Sequence, residues 1–190
     1  MLCQVFDDKF DLEFLHAIYR LVENELSYTA NNVANATSWP HKRKGSHRLF
    51  GCNIFDRNED DPNRILYLNN KHSSIFFDIF DFLCNLHDRD SKNCYLKRIS
   101  VNLQHSGCDG TLHLDSFDPG YRTIMLFINP EWKPEWGGQF QLFSEDKSTL
   151  LEEYDYVPGR VISFPSNLPH RGLGPKEEYI YRYSIVFDVR

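Results

Sequence analysis

Thr111-Leu112-His113-Leu114-Asp115 is the stretch on which the reading of this 190-residue chain turns. On an extended strand, side chains two apart point to the same face, so His113 and Asp115 would converge. A second histidine, His170, follows Leu168-Pro169, and Arg182 follows in Tyr181-Arg182-Tyr183-Ser184. Two imidazoles and one carboxylate can hold one face of a metal ion and leave its remaining positions open. An arginine on a nearby strand offers a planar two-pronged fork that matches a carboxylate.

Outward from this stretch the sequence has strand period. Strands are expected near 94–104, 111–115, 121–129, 138–143, 151–157, 160–164 and 179–188. Short strands broken by Gly and Pro read as a sandwich or barrel. Before them the period is helical. Residues 8–26 carry Phe10, Phe14, Ile18 and Leu21 on one stripe, with Lys9, His16 and Glu23 opposite. Residues 73–88 form a second such helix through Phe76, Ile79, Phe80, Leu83 and Leu86, capped by Ser73 or Ser74. His87 falls at its end, where an imidazolium would suit the helix dipole. Between the helices lie a polar loop at 27–48 with the basic run His41 to Arg48, a short strand at 49–55 and an acidic turn at 57–63.

The motif order resembles that of the 2-oxoglutarate/Fe(II)-dependent dioxygenases, and most of all their prolyl-4-hydroxylase-like branch. The residues that carry the resemblance run from about Ile99 to Phe187. They are Asn102-x-Gln104, His113-x-Asp115, Thr123 to Asn129, Trp136-Gly137-Gly138, Val157-Pro158-Gly159-Arg160, Leu168-Pro169-His170 and Arg182-x-Ser184. The resemblance implies a mainly β fold, a double-stranded β-helix or jelly roll, with two N-terminal helices packed outside one sheet. Residues 1–93 would support a core at 94–190 within one domain. His113, Asp115 and His170 would bind Fe(II), and the open positions would take 2-oxoglutarate and O2. Ascorbate is an admissible auxiliary reductant. Arg182 would grip the far carboxylate of 2-oxoglutarate, aided by Ser184, with Gln104, Asn102 and Thr123 as further co-substrate contacts. In the prolyl-hydroxylase branch a tyrosine stands near the position of Gln104, so the chain departs there. The retained Asp115 favours hydroxylation over halogenation, since halogenases lack this carboxylate.

Composition sets bounds. Hydrophobic residues make up 41% and aromatics 15%, which suits a sizeable core. The net charge of -6 disfavours broad nucleic-acid binding. No apolar run approaches the ~20 residues of a membrane span. The N-terminal stretch has no signal-peptide pattern, and five cysteines without C-x-x-C spacing read as reduced thiols. A cytoplasmic protein is expected. Arg160 reads as structural or as a substrate-side charge, and His105, Trp132 and Trp136 as residues lining the substrate mouth or anchoring a turn.

The expected reaction is hydroxylation of a C–H bond in a peptidyl proline or other amino-acid-like substrate, with release of succinate and CO2. Two other enzyme readings are a small-molecule tailoring oxygenase and a nucleobase oxidase. The latter branch usually carries Arg-x5-Arg, whereas here Asp188 stands at the second position. The non-enzyme reading is a metal-free jelly-roll binding module.

Overall fold

The computed structural model describes residues 2–30, 50–57, 65–67 and 71–190. In chain order the elements are β1 (Gln4–Phe6), α1 (Leu12–Glu25), β2 (Thr29–Ala30), β3 (Phe50–Arg57), β4 (Ile65–Tyr67) and α2 (Ser73–Leu86). There follow β5 (Leu96–Gln104), β6 (Arg122–Phe127), β7 (Phe140–Phe143), β8 (Leu150–Tyr154), β9 (Val161–Pro165), β10 (His170–Gly172) and β11 (Arg182–Val189). The strands form two antiparallel sheets. The larger runs β1-β9-β6-β11-β5-β3-β2, with β4 on β3, and the smaller runs β10-β7-β8.

β11 shows how the sequence sets the layers. Tyr183, Ile185, Phe187 and Val189 face one side and join a cluster with Ile99 and Val101 of β5, Ile18 and Val22 of α1, and Phe76, Phe80 and Leu83 of α2. The alternate residues face the smaller sheet: Val186 packs with Met125, Phe127, Phe140, Leu142 and Phe164. A period of two thus sends one set to the helices and the other to the interior between the sheets. Two helices outside one sheet of a jelly roll is the expected architecture.

Several boundaries differ from the sequence expectation. α1 starts at Leu12 because the Asp11 carboxylate caps it, accepting from the Phe14 amide at 2.7 Å. Its buried line is Leu15, Ile18 and Val22, so Phe14 and Leu21 flank the stripe and Phe10 precedes the helix. α2 carries its expected apolar stripe, but His72 occupies the cap position and no side chain caps it. His87 ends α2 edge-on to Phe6, and burial pushes its pKa down, so the expected imidazolium is disfavoured. β11 begins at Arg182 because Tyr179 sits at φ +67°, outside extended geometry. β1 and β10, three residues each, were too short to read as strands in the sequence. Residues 31–49 and 58–64, which include most of the polar loop and the acidic turn, lie outside the described residues. None of the five cysteines is in a disulfide, and no described helix is long and apolar enough to cross a membrane.

Phe76 is fully buried where α2 meets the sheet. Phe76→Ala leaves a cavity there and is expected to cost about 3–5 kcal/mol of unfolding free energy. Urea denaturation checks it, and a loss below about 1 kcal/mol would mean that α2 is not part of the main cooperative unit.

Candidate active site

His113 does not lie on a strand. It makes one isolated antiparallel bridge with His170: its amide donates to the His170 carbonyl at 3.2 Å, and the His170 amide returns a bond at 3.0 Å. Beyond it the chain bends, because the Asp115 and Ser116 amides both donate to the Ser166 carbonyl, at 3.0 and 3.2 Å. The expected strand at 111–115 is therefore a bridge followed by a turn. The convergence expected of a strand is reached by another route. Asp115 Oδ1 lies 3.6 Å from His113 Nε2, and its Oδ2 lies 3.2 Å from His170 Nε2.

The histidine tautomers are fixed from behind. Nδ1 of His113 meets the Thr111 carbonyl at 2.6 Å, and Nδ1 of His170 meets the Leu168 carbonyl at 2.8 Å. A carbonyl only accepts, so both Nδ1 atoms carry the proton and both Nε2 atoms present bare lone pairs. Outer hydrogen bonds of this kind orient metal-binding imidazoles. Burial opposes ionisation of Asp115; while the facing imidazoles of His170 and His113 are protonated they outweigh it and hold the carboxyl well below the usual range, and once they are neutral the Nε2 lone pairs are free for a metal ion. Among the described residues these three form the one group of His, Cys, Asp or Glu able to hold a metal ion, with ligand atoms within 4.8 Å of one another. Two neutral imidazoles and one carboxylate suit Fe(II).

Asp115 is clamped by residues on the inner face of the large sheet. Thr123 Oγ1 donates to Asp115 Oδ2 at 2.8 Å and contacts Ser166 Oγ at 2.8 Å. Thr123 thus holds the carboxylate rather than lying free for a co-substrate. Arg98 Nη2 lies 3.5 Å from Asp115 Oδ1 and 2.8 Å from Asp188 Oδ2. Arg98, Asp188 and Thr123 are register partners across β5, β11 and β6 and make one row beneath the carboxylate. Burial raises the Asp188 pKa to about 6, against the pull of Arg98. Neither Arg98 nor Ser166 was singled out in the sequence. The pairing of residue 98 with residue 188 emerges only once the strand register is known.

Arg182 lies at the other end of the same inner face, 1% exposed. Its Nε donates to the Gly138 carbonyl at 2.9 Å and its Nη1 to Gln104 Oε1 at 2.8 Å. Its guanidinium carbon stands 5.0 Å from the ring centres of Phe127 and Tyr156. No carboxylate approaches it among the described residues, and Nη2 has no hydrogen-bond partner. Burial alone drags its pKa to about 10. A side chain at 172 would meet Gln104 Oε1 at 3.0 Å and Arg182 Nη1 at 3.3 Å, so Gly172 leaves room beside the fork. Gly138 does the same on the other side, where a Cβ would stand 2.8 Å from Trp132.

Both amide hydrogens of Gln104 are in use. Its Nε2 donates to the Cys108 and Gly172 carbonyls, both at 2.9 Å, while its Oε1 holds Arg182. It is a positioning residue for Arg182 and not a free co-substrate contact. Ser184 and half-buried Asn102 are register partners one step along the inner face from Arg182. Trp132 donates to the Gly137 carbonyl at 3.0 Å and meets Trp136 edge-on, so the pair anchors the Gly-Gly turn. Arg160 pairs with Asp7 through two bonds of 2.8 and 2.9 Å, a structural contact. His105 contacts the Cys108 thiol at 3.3 Å. His41 and His47 lie outside the described residues.

Residues 99–189 match the family model of the 2OG-Fe(II) oxygenase superfamily. No curated protein matches the chain. An oxidoreductase of the 2OG-Fe(II) oxygenase family from Burkholderia pseudomallei aligns with a TM-score of 0.72 at 16% identity, covering 99% of this chain and 84% of that one. A Pseudomonas putida prolyl-4-hydroxylase aligns with a TM-score of 0.63 at 18% identity, covering 100% and 92%. A prolyl hydroxylase from Trichoplax adhaerens, solved with a hypoxia-inducible-factor oxygen degradation domain peptide, aligns at 0.67 and 15%, covering 99% and 83%. At these identities the structural likeness is one of fold.

Arg98 and Asp188 form a buried pair, and removing one partner strands the other. Arg98→Met is expected to destabilise the protein by about 3 kcal/mol, and adding Asp188→Asn to regain most of that loss. Urea denaturation of both variants checks the pairing; equal losses would show that Asp188 does not need Arg98.

Proposed function

We propose that this chain, a member of the 2OG-Fe(II) oxygenase superfamily through residues 99–189, hydroxylates a C–H bond of a peptidyl proline or other amino-acid-like substrate. The superfamily's cofactors are Fe(II) and 2-oxoglutarate. His113 Nε2, His170 Nε2 and one Asp115 oxygen would hold the iron, which when bound supplies the oxidising chemistry with O2. The observation that carries the reading is the buried Arg182 fork, with an open Nη2 and no acidic partner among the described residues.

A lone buried cation is costly, and an arriving carboxylate relieves that cost. Arg182 would bind the C5 carboxylate of 2-oxoglutarate through Nη2, while Gln104 and the Gly138 carbonyl keep the fork from rotating away. The Phe127 and Tyr156 rings, with centres 5.0 Å from the guanidinium carbon, lower the polarity beside it, which strengthens the charge pairing. Thr123 and Arg98 hold Asp115 as an anion with a fixed direction, so that its free electron pairs stay aimed at the metal position. The peptidyl class is supported by the likeness of the whole chain to two prolyl hydroxylases, one of them solved with a peptide.

Lysine keeps the charge of Arg182 but lacks the fork. Arg182→Lys is expected to raise the 2-oxoglutarate concentration for half-maximal succinate formation at least about tenfold, with Mn(II) affinity unchanged. An unchanged requirement would move the carboxylate site elsewhere. His170→Ala is expected to lose Mn(II) binding, read by electron paramagnetic resonance, while the far-ultraviolet circular dichroism stays as in the parent. Retained metal affinity would remove His170 from the ligand set. Succinate release, stimulated by prolyl peptides but not by free nucleosides, tests the substrate class.

A further inference from the structure

On the helix side of the large sheet lies a cavity of about 270 Å³, separated from the metal position by the thickness of that sheet. It is lined by His87 and Arg89 at the end of α2, Arg122 of β6, Ser163 of β9, Gln4 of β1 and Cys94. No Asp or Glu is among its described lining residues. This is a local excess of positive charge in a chain whose net charge is -6.

Two of the polar groups here have an unused edge. Arg122 is held by Ser163, with Nε donating to the hydroxyl at 3.1 Å and Nη2 to the carbonyl at 3.0 Å. Its Nη1 makes no protein hydrogen bond, and neither arginine meets a carboxylate among the described residues. Nε2 of His87 is buried without a hydrogen-bond partner. Ser163 keeps Arg122 from swinging out to solvent, so its free edge is presented to the cavity at little further entropic cost. Burial and the two nearby arginines together press His87 toward its neutral form, a strain that a bound anion would relieve.

The geometry points to a binding site for a small phosphorylated metabolite, with Arg89 and Arg122 gripping the phosphate and His87 Nε2 adding a third polar contact. Guanidinium groups suit phosphate oxygens through paired N–H donors. The cavity exceeds what a phosphate group alone fills, since a water takes ~30 Å³. The remainder is bounded by Ile124, Val189 and Cys84, which would face the organic part of the ligand. This site is independent of the metal triad: Arg122 and Ser163 point away from it, although their neighbours Thr123 and Phe164 face the interior.

The test is a ¹H–¹⁵N NMR titration of the full chain with ribose 5-phosphate, inorganic phosphate, ribose and succinate. Ribose 5-phosphate is expected to shift the amides of His87, Arg89, Arg122 and Val189 at millimolar concentration, and ribose to leave them in place. Arg89→Gln is expected to weaken that binding about tenfold, the loss of one charge-assisted contact. Arg89 is exposed, so this variant should keep the fold, and Arg122→Gln gives a second reading of the same grip. Shifts confined to the surroundings of Arg182, affinity unchanged in both variants, or no shift at all would overturn the assignment. Binding of inorganic phosphate without ribose 5-phosphate would overturn the organic half of it.

Discussion

The alternation of β11 is the constraint on which the molecule depends. One strand must supply an apolar face to two helices and a polar face to a reaction chamber. Tyr183, Ile185, Phe187 and Val189 do the first, and Arg182, Ser184 and Asp188 the second. Register follows from this, because a slip by one residue would drive Arg182 and Asp188 into the helix interface. Hydrogen-bonded neighbours on both sides, β5 and β6, lock the strand in place. The helices are therefore not an accessory. They cover the face whose burial fixes which side chains look into the chamber.

The two ends of that chamber are built on opposite electrostatic plans. At the Asp188 end the acids are cross-linked: Arg98 stands between Asp188 and Asp115, and Thr123 holds the second Asp115 oxygen. At the Arg182 end the cation has hydrogen bonds and aromatic faces but no anion among the described residues. A cross-linked end holds a ligand set rigid, whereas an unpaired cation is poised for an incoming charge. Between them the imidazoles of His113 and His170 are locked into one tautomer by backbone carbonyls two residues upstream of each. Local sequence geometry, not tertiary contact, thus sets which nitrogen is offered.

Much of this was legible in the sequence because it rests on period and order. The strand expected at 179–188, the apolar stripe of 73–88 and the His-x-Asp, His and Arg order all recur in the structure, the strand beginning at Arg182. The local geometry of 111–115 was not legible. Both a strand and a bridge-plus-turn bring His113 and Asp115 together, and the choice is made by the Ser166 carbonyl, far off in the chain. The role of Gln104 was hidden for the same reason. As a polar residue near the motif it read as a ligand contact, while in the fold all three of its bonds are consumed in holding Arg182, Cys108 and Gly172. Arg98 was missed because its meaning comes from cross-strand pairing with Asp188.

The position of Asp188 shows how such pairing carries chemistry. In a sheet whose inner face carries Arg182, an arginine six residues on would present a second cation toward Asp115. This chain places an acid there and sets the guanidinium on the adjacent strand, at the register partner Arg98. The Asp115 carboxylate still faces a guanidinium, but one whose charge is already balanced by Asp188. The net charge near the metal ligand is then lower than two cations would give, and the attraction for a polyanionic substrate is correspondingly weaker. A weaker pull on polyanions accords with the peptidyl class proposed above. Arg182 remains the one buried cation without an acidic partner among the described residues, so the pull on an anion is concentrated where a small dicarboxylate, rather than the substrate, would sit.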